Sequence, residues 1–231
     1  VVNRLLESEV MDDPSLEDGR HRHALRGLSR LNLLSGSARI VWPPIASLAR
    51  RENRAIRILD VGSGAGDVPL ALWRRARRAG IDVDILGVDV SSRAVRFARE
   101  RAARLGASVE FHVRDALAEP LPGGFDVVLC SLFLHHLDDE RAIQLLIEMK
   151  HAARQIALVH DLLRGDRGLW LARVASRLFT SSDVVHVDAP RSVRAAFTAE
   201  EMQVLARQAG MDDAEVSRRW PLRLLLVWRA A

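Results

Sequence analysis

Four short apolar runs punctuate the chain: Arg57–Val61, Val83–Val88, Phe125–Cys130 and Gln155–Val159. Each is rich in β-branched residues or leucine and bounded by turn residues or acids, the pattern of a buried strand. Between them Val68–Ala79, Ser92–Leu105 and Asp139–Ala153 repeat their apolar positions at helical spacing, and Val109–Ala116 supplies a further strand. Strands alternating with helices predict an α/β fold, a mostly parallel sheet covered on both faces. In such sheets ligands lie beyond the carboxyl ends of the strands. Residues 212–230, DDAEVSRRWPLRLLLVWRA, break the alternation and read as two strands joined near Trp220–Pro221, so an antiparallel hairpin should finish the sheet.

Two regions stand outside this pattern. Leu16–Leu34 and Ala38–Ala49 read as helices ahead of the first strand, so residues 1–50 are expected to form a helical lid on a domain spanning 51–231. A second lid segment is expected at about 162–198, where the amphipathic stretch RGLWLARVASRLF is followed by a polar loop carrying His186 and Asp188. His21 and His23 are expected on the lid surface.

Composition narrows the class. The chain has 231 residues, 48% of them apolar, which suits one packed domain with a small appendage. Its net charge of +4 rests almost entirely on arginine, with Lys150 the sole lysine. The densest basic run, Trp73–Gly80, shares its helix with core residues and reads as a solvated face, so no nucleic-acid partner is expected. Cys130 is the single cysteine, which excludes an internal disulfide and a cysteine-rich zinc site. No apolar run reaches the length of a membrane span, and acids interrupt the first residues, so a cytoplasmic protein without stable membrane insertion is expected. A homodimer is left open.

The chemistry gathers at the strand ends. After the first strand comes Asp60 and then VGSGAGD, with Gly62, Gly64 and Gly66 at alternate positions before a helix. Glycine there lets a ligand approach the backbone, and the following helix offers free N–H groups. The nicotinamide fingerprint spaces its third glycine one position later, and a phosphate loop needs Gly-Lys-Ser/Thr, so neither fits. The second strand ends in GVDVS, where Asp89 can accept hydrogen bonds from both hydroxyls of a ribose. The third is followed by Asp115 and Ala116, placed to meet an adenine.

The segments LDVGSGAGD, GVDVS, RDAL and FDVVLCSLFLHHL resemble, in order, the motifs of class I S-adenosylmethionine-dependent methyltransferases over about Ile56–Leu163. The resemblance implies a Rossmann-like, seven-stranded sheet with a reversed last strand and S-adenosyl-L-methionine as cofactor. It implies that the glycine loop with Asp60 and Ser63 meets the methionine moiety, Asp89 and Val90 the ribose, Asp115 and Ala116 the adenine, and Ser131 the region near the sulfonium. Arg39 resembles an arginine that quinone-biosynthesis members place against the cofactor carboxylate. After the fourth strand, members that methylate base amines show Asn/Asp-Pro-Pro-aromatic. Here the run is Ser131-Leu-Phe-Leu-His135-His136-Leu, similar to members acting on quinone, polyketide and phenolic-lipid intermediates.

A small, largely apolar phenolic or polyketide-like acceptor, methylated on oxygen, is therefore expected. The alternatives are C- or carboxyl-methylation of a small molecule and, further off, methylation of RNA or protein. A phenol with pKa about 10 must lose its proton, for which a histidine is suited. His135 is the first candidate, His160 the second, and Asp161 a partner that orients a histidine or caps a turn. His135 and His136, as neighbours on a helix start, should point about 100° apart. The histidines show no metal-ligand spacing on a helix, and transfer from a sulfonium needs no metal, so none is expected.

Overall fold

The computed structural model describes residues 3–13 and 15–230, so the outermost positions of the expected 1–50 and 51–231 units lie outside the described residues. Seven strands form one sheet in the order β3-β2-β1-β4-β5-β7-β6. They are β1 Ile56–Val61, β2 Val83–Asp89, β3 Val109–Val113, β4 Phe125–Ser131, β5 Ala153–Leu162, β6 Glu215–Arg219 and β7 Arg223–Arg229. The first five run parallel, and β7 enters antiparallel between β5 and β6. The predicted hairpin is present, turning at Trp220–Leu222.

The helices are α1 Asp18–Ser35, α2 Ser37–Glu52, α3 Asp67–Ala79, α4 Ser92–Leu105, α5 Asp139–Ala152, α6 Asp166–Phe179, α7 Asp183–Ala195 and α8 Ala199–Gln208. Local chemistry sets their starts. Ser91 caps α4 by accepting from Ala94 N–H at 3.2 Å, Asp138 caps α5, and Thr198 with Glu201 forms a capping box on α8. Apolar stripes of α2, α3 and α4 bury against one face of the sheet with Ile58, Ile85, Val127 and Leu158. Those of α5 and α8 bury against the other with Leu59, Val88, Val128 and Val159. Strands buried on both faces explain why the central runs are continuously apolar.

Three expectations change. α2 is a covering layer of the sheet, where Val41 and Ile45 are fully buried, so within the expected 1–50 unit it is α1 and the segment before it that lie outside the sheet. The polar loop containing His186 and Asp188 is the helix α7. Thr180-Ser-Ser and the internal Pro190 disguise it, but Ser182 caps it and Val184, Val185 and Val193 are buried. His21 is buried rather than on the surface, and burial, followed by Arg93, lowers its pKa.

α1, α6 and α7 pack together outside the sheet, and an N-terminal strap, residues 3–13, with one 3-10 turn at Val10–Asp12, is fastened to them. Leu5 N–H donates to Arg194 O at 3.2 Å, and Arg4 donates to Ala195 O at 2.8 Å and Leu137 O at 2.5 Å. Asp188 accepts from Val10 N–H at 2.8 Å and Met11 N–H at 3.0 Å. The strap thus runs across the carboxyl ends of the strands.

Candidate active site

At the end of β1 the glycines divide their work. A Cβ at Gly62 would lie 2.5 Å from the Phe133 ring and one at Gly66 2.7 Å from the Phe111 ring, so both permit packing beneath the loop. Gly64 is different: its φ is 51° and a Cβ there would meet nothing within 4 Å. Its bare backbone faces open space, the approach that a ligand needs. Gly64 N–H donates to Asp89 Oδ2 at 2.8 Å, and Ser91 N–H to Asp89 Oδ1, also at 2.8 Å. The acid at the end of β2 therefore ties down the loop tip while retaining lone pairs for a further donor.

Beside it Asp60 is buried with Oδ1 unpartnered, and burial together with Asp89 pushes its carboxyl well above the usual range. Burial also raises Asp89, against the pull of its two N–H donors. The Ser63 hydroxyl is buried without a partner. Asp115 accepts from Leu117 N–H at 2.9 Å with Oδ1, capping its own turn, and Ala116 is buried beneath. Val90 is exposed on the following turn, and Arg39 is exposed on α2. The orphaned polar atoms, acids and bare loop lie at successive strand ends and fit the donors and acceptors of an adenosyl amino acid.

The end of β4 forms a second cluster. Leu132 takes a left-handed φ of 57°, turning the chain so that Phe133 passes under the glycine loop and Leu134–His136 form one 3-10 turn. His135 N–H donates to Asp161 Oδ2 at 3.0 Å, and its ring Nδ1 lies 2.6 Å from Asp161 Oδ1. Burial would raise the Asp161 carboxyl, but His135 and the Leu162 N–H outweigh it and hold it low. A carboxylate on Nδ1 fixes that nitrogen as the donor and leaves Nε2 with its lone pair.

The two neighbouring histidines do not diverge as expected. Their ring centroids are 4.4 Å apart, and Nε2 of each approaches Glu9 Oε1 of the strap, at 4.0 Å for His135 and 3.9 Å for His136. A single 3-10 turn, not an α-helix, allows this. Asp12 Oδ2 lies 3.6 Å from His136 Nδ1. Burial opposes the charge on His136, yet Asp12, Glu9 and Asp161 raise it to about 9. Glu9 and Asp12 carry no local signal in the sequence, since only the folded strap brings them here.

His160 lies apart from this pair. Its Nδ1 is 2.9 Å from Ser131 Oγ, its Nε2 is buried without a partner, and burial, then Arg223, lowers it to about 3.

Comparison with known proteins bears on the domain and the fold. Residues 58–155 match a family model described as a methyltransferase domain. The demethylmenaquinone methyltransferase of Thermus thermophilus is 36% identical over 113 residues, 48% of this chain and 50% of that protein. The ubiquinone biosynthesis O-methyltransferase of Thiobacillus denitrificans is 34% identical over 89 residues, 38% of this chain and 36% of that protein. The chain thus spans half or less of the length of these curated relatives. Among solved structures, the O-methyltransferase NcsB1 from neocarzinostatin biosynthesis, in complex with S-adenosyl-L-homocysteine and 1,4-dihydroxy-2-naphthoic acid, superposes with a TM-score of 0.67. It is 20% identical and covers 96% of this chain and 61% of its own, a likeness of fold. Residues 58–155 are thus similar to a methyltransferase domain, and the chain has the fold of methyltransferases solved with S-adenosyl-L-methionine or S-adenosyl-L-homocysteine. Among the described residues no helix is long and apolar enough to cross a membrane.

Proposed function

We propose that the protein transfers the methyl group of S-adenosylmethionine to a hydroxyl oxygen of a small, largely apolar phenolic or polyketide-like acceptor. The observation that carries this reading is the buried His135–Asp161 pair at 2.6 Å beside the glycine loop. The quinone-pathway names of the relatives support the acceptor class. In this reading the Gly62–Gly66 loop with Asp60 and Ser63 receives the amino-acid part of the cofactor. Asp89 receives the ribose hydroxyls, with Val90 beside them. Asp115 and Ala116 border the adenine, and Ser131 lies toward the sulfonium. Arg39 reaches the cofactor carboxylate only by swinging inward from its exposed place on α2. The strap with α1, α6 and α7 roofs the acceptor.

Methyl transfer is an in-line displacement in which the oxygen lone pair forms the new bond as the carbon–sulfur bond breaks and sulfur leaves as a neutral thioether. Alignment and exclusion of water contribute most. The remaining demand is removal of the acceptor's proton. His135 offers Nε2 to the hydroxyl because Asp161 holds its other nitrogen. His160, pushed down to about 3, is a weak base at neutral pH and acts by orienting Ser131.

The test supplies S-adenosylmethionine carrying a trideuterated methyl group, with 1,4-dihydroxy-2-naphthoic acid and simpler dihydroxyarenes as probes. A labelled methyl ether, identified by mass and methyl shift, is expected. Labelled carbon- or carboxyl-methylated product alone would replace oxygen by that atom, and no product across phenolic probes with transfer to a protein or RNA substrate would overturn the reading.

A further inference from the structure

Glu9, His135 and His136 come from two segments far apart in sequence, yet one ligand atom from each lies within 4.8 Å of the others. The two contacts to Glu9 Oε1, 4.0 and 3.9 Å, are too long for hydrogen bonds. They are close to the separation of neighbouring ligands around one ion. With metal–ligand bonds of about 2.0–2.1 Å in a tetrahedron, donor atoms lie about 3.4 Å apart, so Glu9 would close on each histidine by about half an ångström, and the three atoms, now within 4.8 Å of one another, would draw together around the ion.

The surroundings are also those of a metal centre. A ligating histidine donates its other ring nitrogen to a carboxylate, which fixes the tautomer and aims the free lone pair. His135 has such an arrangement, its Nδ1 on Asp161 Oδ1 at 2.6 Å, while His136 Nδ1 faces Asp12 Oδ2 at 3.6 Å, beyond hydrogen-bond reach. Both rings turn Nε2 to the same Glu9 carboxylate. Glu9 is itself held, because the Ser192 hydroxyl donates to Oε1 and the adjacent Val10 N–H is bound to Asp188. His135 and Glu9 are nearly enclosed, and His136 is three-quarters so.

We propose that Glu9, His135 and His136 hold a divalent transition-metal ion, zinc in the first instance, with a coordination position left for the acceptor's oxygen. Two histidines and one carboxylate are a set found around catalytic zinc. This deepens the methyltransferase reading and rests on it: the ion binds the acceptor hydroxyl, the proton passes to solvent, and the oxygen lone pair then takes the methyl as the carbon–sulfur bond breaks. Glu9 and the acceptor oxyanion match the two positive charges. With the ion seated, His135 Nε2 is a ligand and the ion supplies the acidity. Without it, that nitrogen meets the hydroxyl directly. No spacing along the chain could disclose such a site, since Glu9 arrives on the strap.

The test uses the full chain, stripped with a chelator, titrated with Co²⁺ and with Zn²⁺. One equivalent of Co²⁺ should give visible ligand-field absorption that Zn²⁺ abolishes. Calorimetry should show Zn²⁺ affinity at least 100-fold weaker in Glu9→Gln and in His136→Asn, and about 10–100-fold weaker in Asp161→Asn. His112→Gln, an exposed histidine on β3, should match the parent. S-adenosylhomocysteine affinity, measured on the same samples, reports an intact fold and tests the cofactor reading separately. A parent that binds S-adenosylhomocysteine but no stoichiometric Co²⁺ or Zn²⁺ would overturn the proposal, as would folded Glu9→Gln and His136→Asn proteins that bind Zn²⁺ like the parent. Zn²⁺ binding without S-adenosylhomocysteine binding would uphold the metal site and remove the methyltransferase reading.

Discussion

Gly64 donates its backbone N–H to the carboxylate of Asp89 at 2.8 Å, joining the tip of the β1 loop to the acid that ends β2. The two halves of the proposed cofactor site are therefore one mechanical unit. Asp89→Ala should lose the proposed ribose bonds, about 1.5–3 kcal/mol for each bond to a charged group, and free the loop as well. We expect S-adenosylhomocysteine affinity to fall by one to several orders of magnitude in calorimetry. Unchanged affinity would remove Asp89 from the site.

The glycines should separate in their effects. Gly64→Val adds a side chain into open space at a left-handed φ, and should abolish cofactor binding with only a small loss of stability, about 1–2 kcal/mol. Gly66→Val would collide with Phe111, 2.7 Å from the first added carbon, and should lower the melting temperature far more. Equal melting temperatures would contradict this division.

His135→Ala should lower kcat by about 10²–10⁴-fold on an identified phenolic acceptor, with cofactor affinity nearly unchanged. The deficit should shrink as pH approaches the acceptor's own pKa, about 10 for a phenol, where ionisation needs no help. A deficit constant with pH would show that His135 positions the acceptor without assisting proton removal.

His160 sets a pH dependence of stability. Its folded pKa, lowered to about 3, lies below the ordinary 6.5, so between those values the unfolded chain binds more protons. Stability should rise with pH across that window and be lost as pH falls through it. In His160→Gln this acid-side slope should flatten, which urea unfolding at several pH values would read. An unchanged slope would exclude His160 as its source.

Asp188→Ala removes the acceptor of both the Val10 and Met11 amides. The strap should loosen, and turnover should fall more than cofactor affinity if the strap roofs the acceptor. Full activity in this variant would reject that role.

What the sequence disclosed follows from the range of each signal. β1, β4 and β5 are largely buried on both faces, so their runs are unmistakable. The glycine loop, Asp89 and Asp115 each lie where a strand ends, and local spacing suffices to find them. α7 escaped because Pro190 and the serines before it imitate a loop, while the three buried valines that stabilise it find their partners only in the packed α1–α6–α7 group. His21 escaped likewise, since α1 has an inner face only once α7 is beside it. Glu9 and Asp12 join the histidines through the strap, whose course depends on Asp188.

The fastening of the strap has a kinetic meaning. Leu5, Val10 and Met11 donate their amides to Arg194 and Asp188 on one helix. The segment that carries them also presents Glu9 to the histidines, so it cannot leave in pieces without stranding a buried carboxylate. Exchange of these three amide protons with solvent should then proceed at one common rate. That rate, slowed by whatever molecule fills the space beneath, would serve as a clock for how often the site is open to visitors.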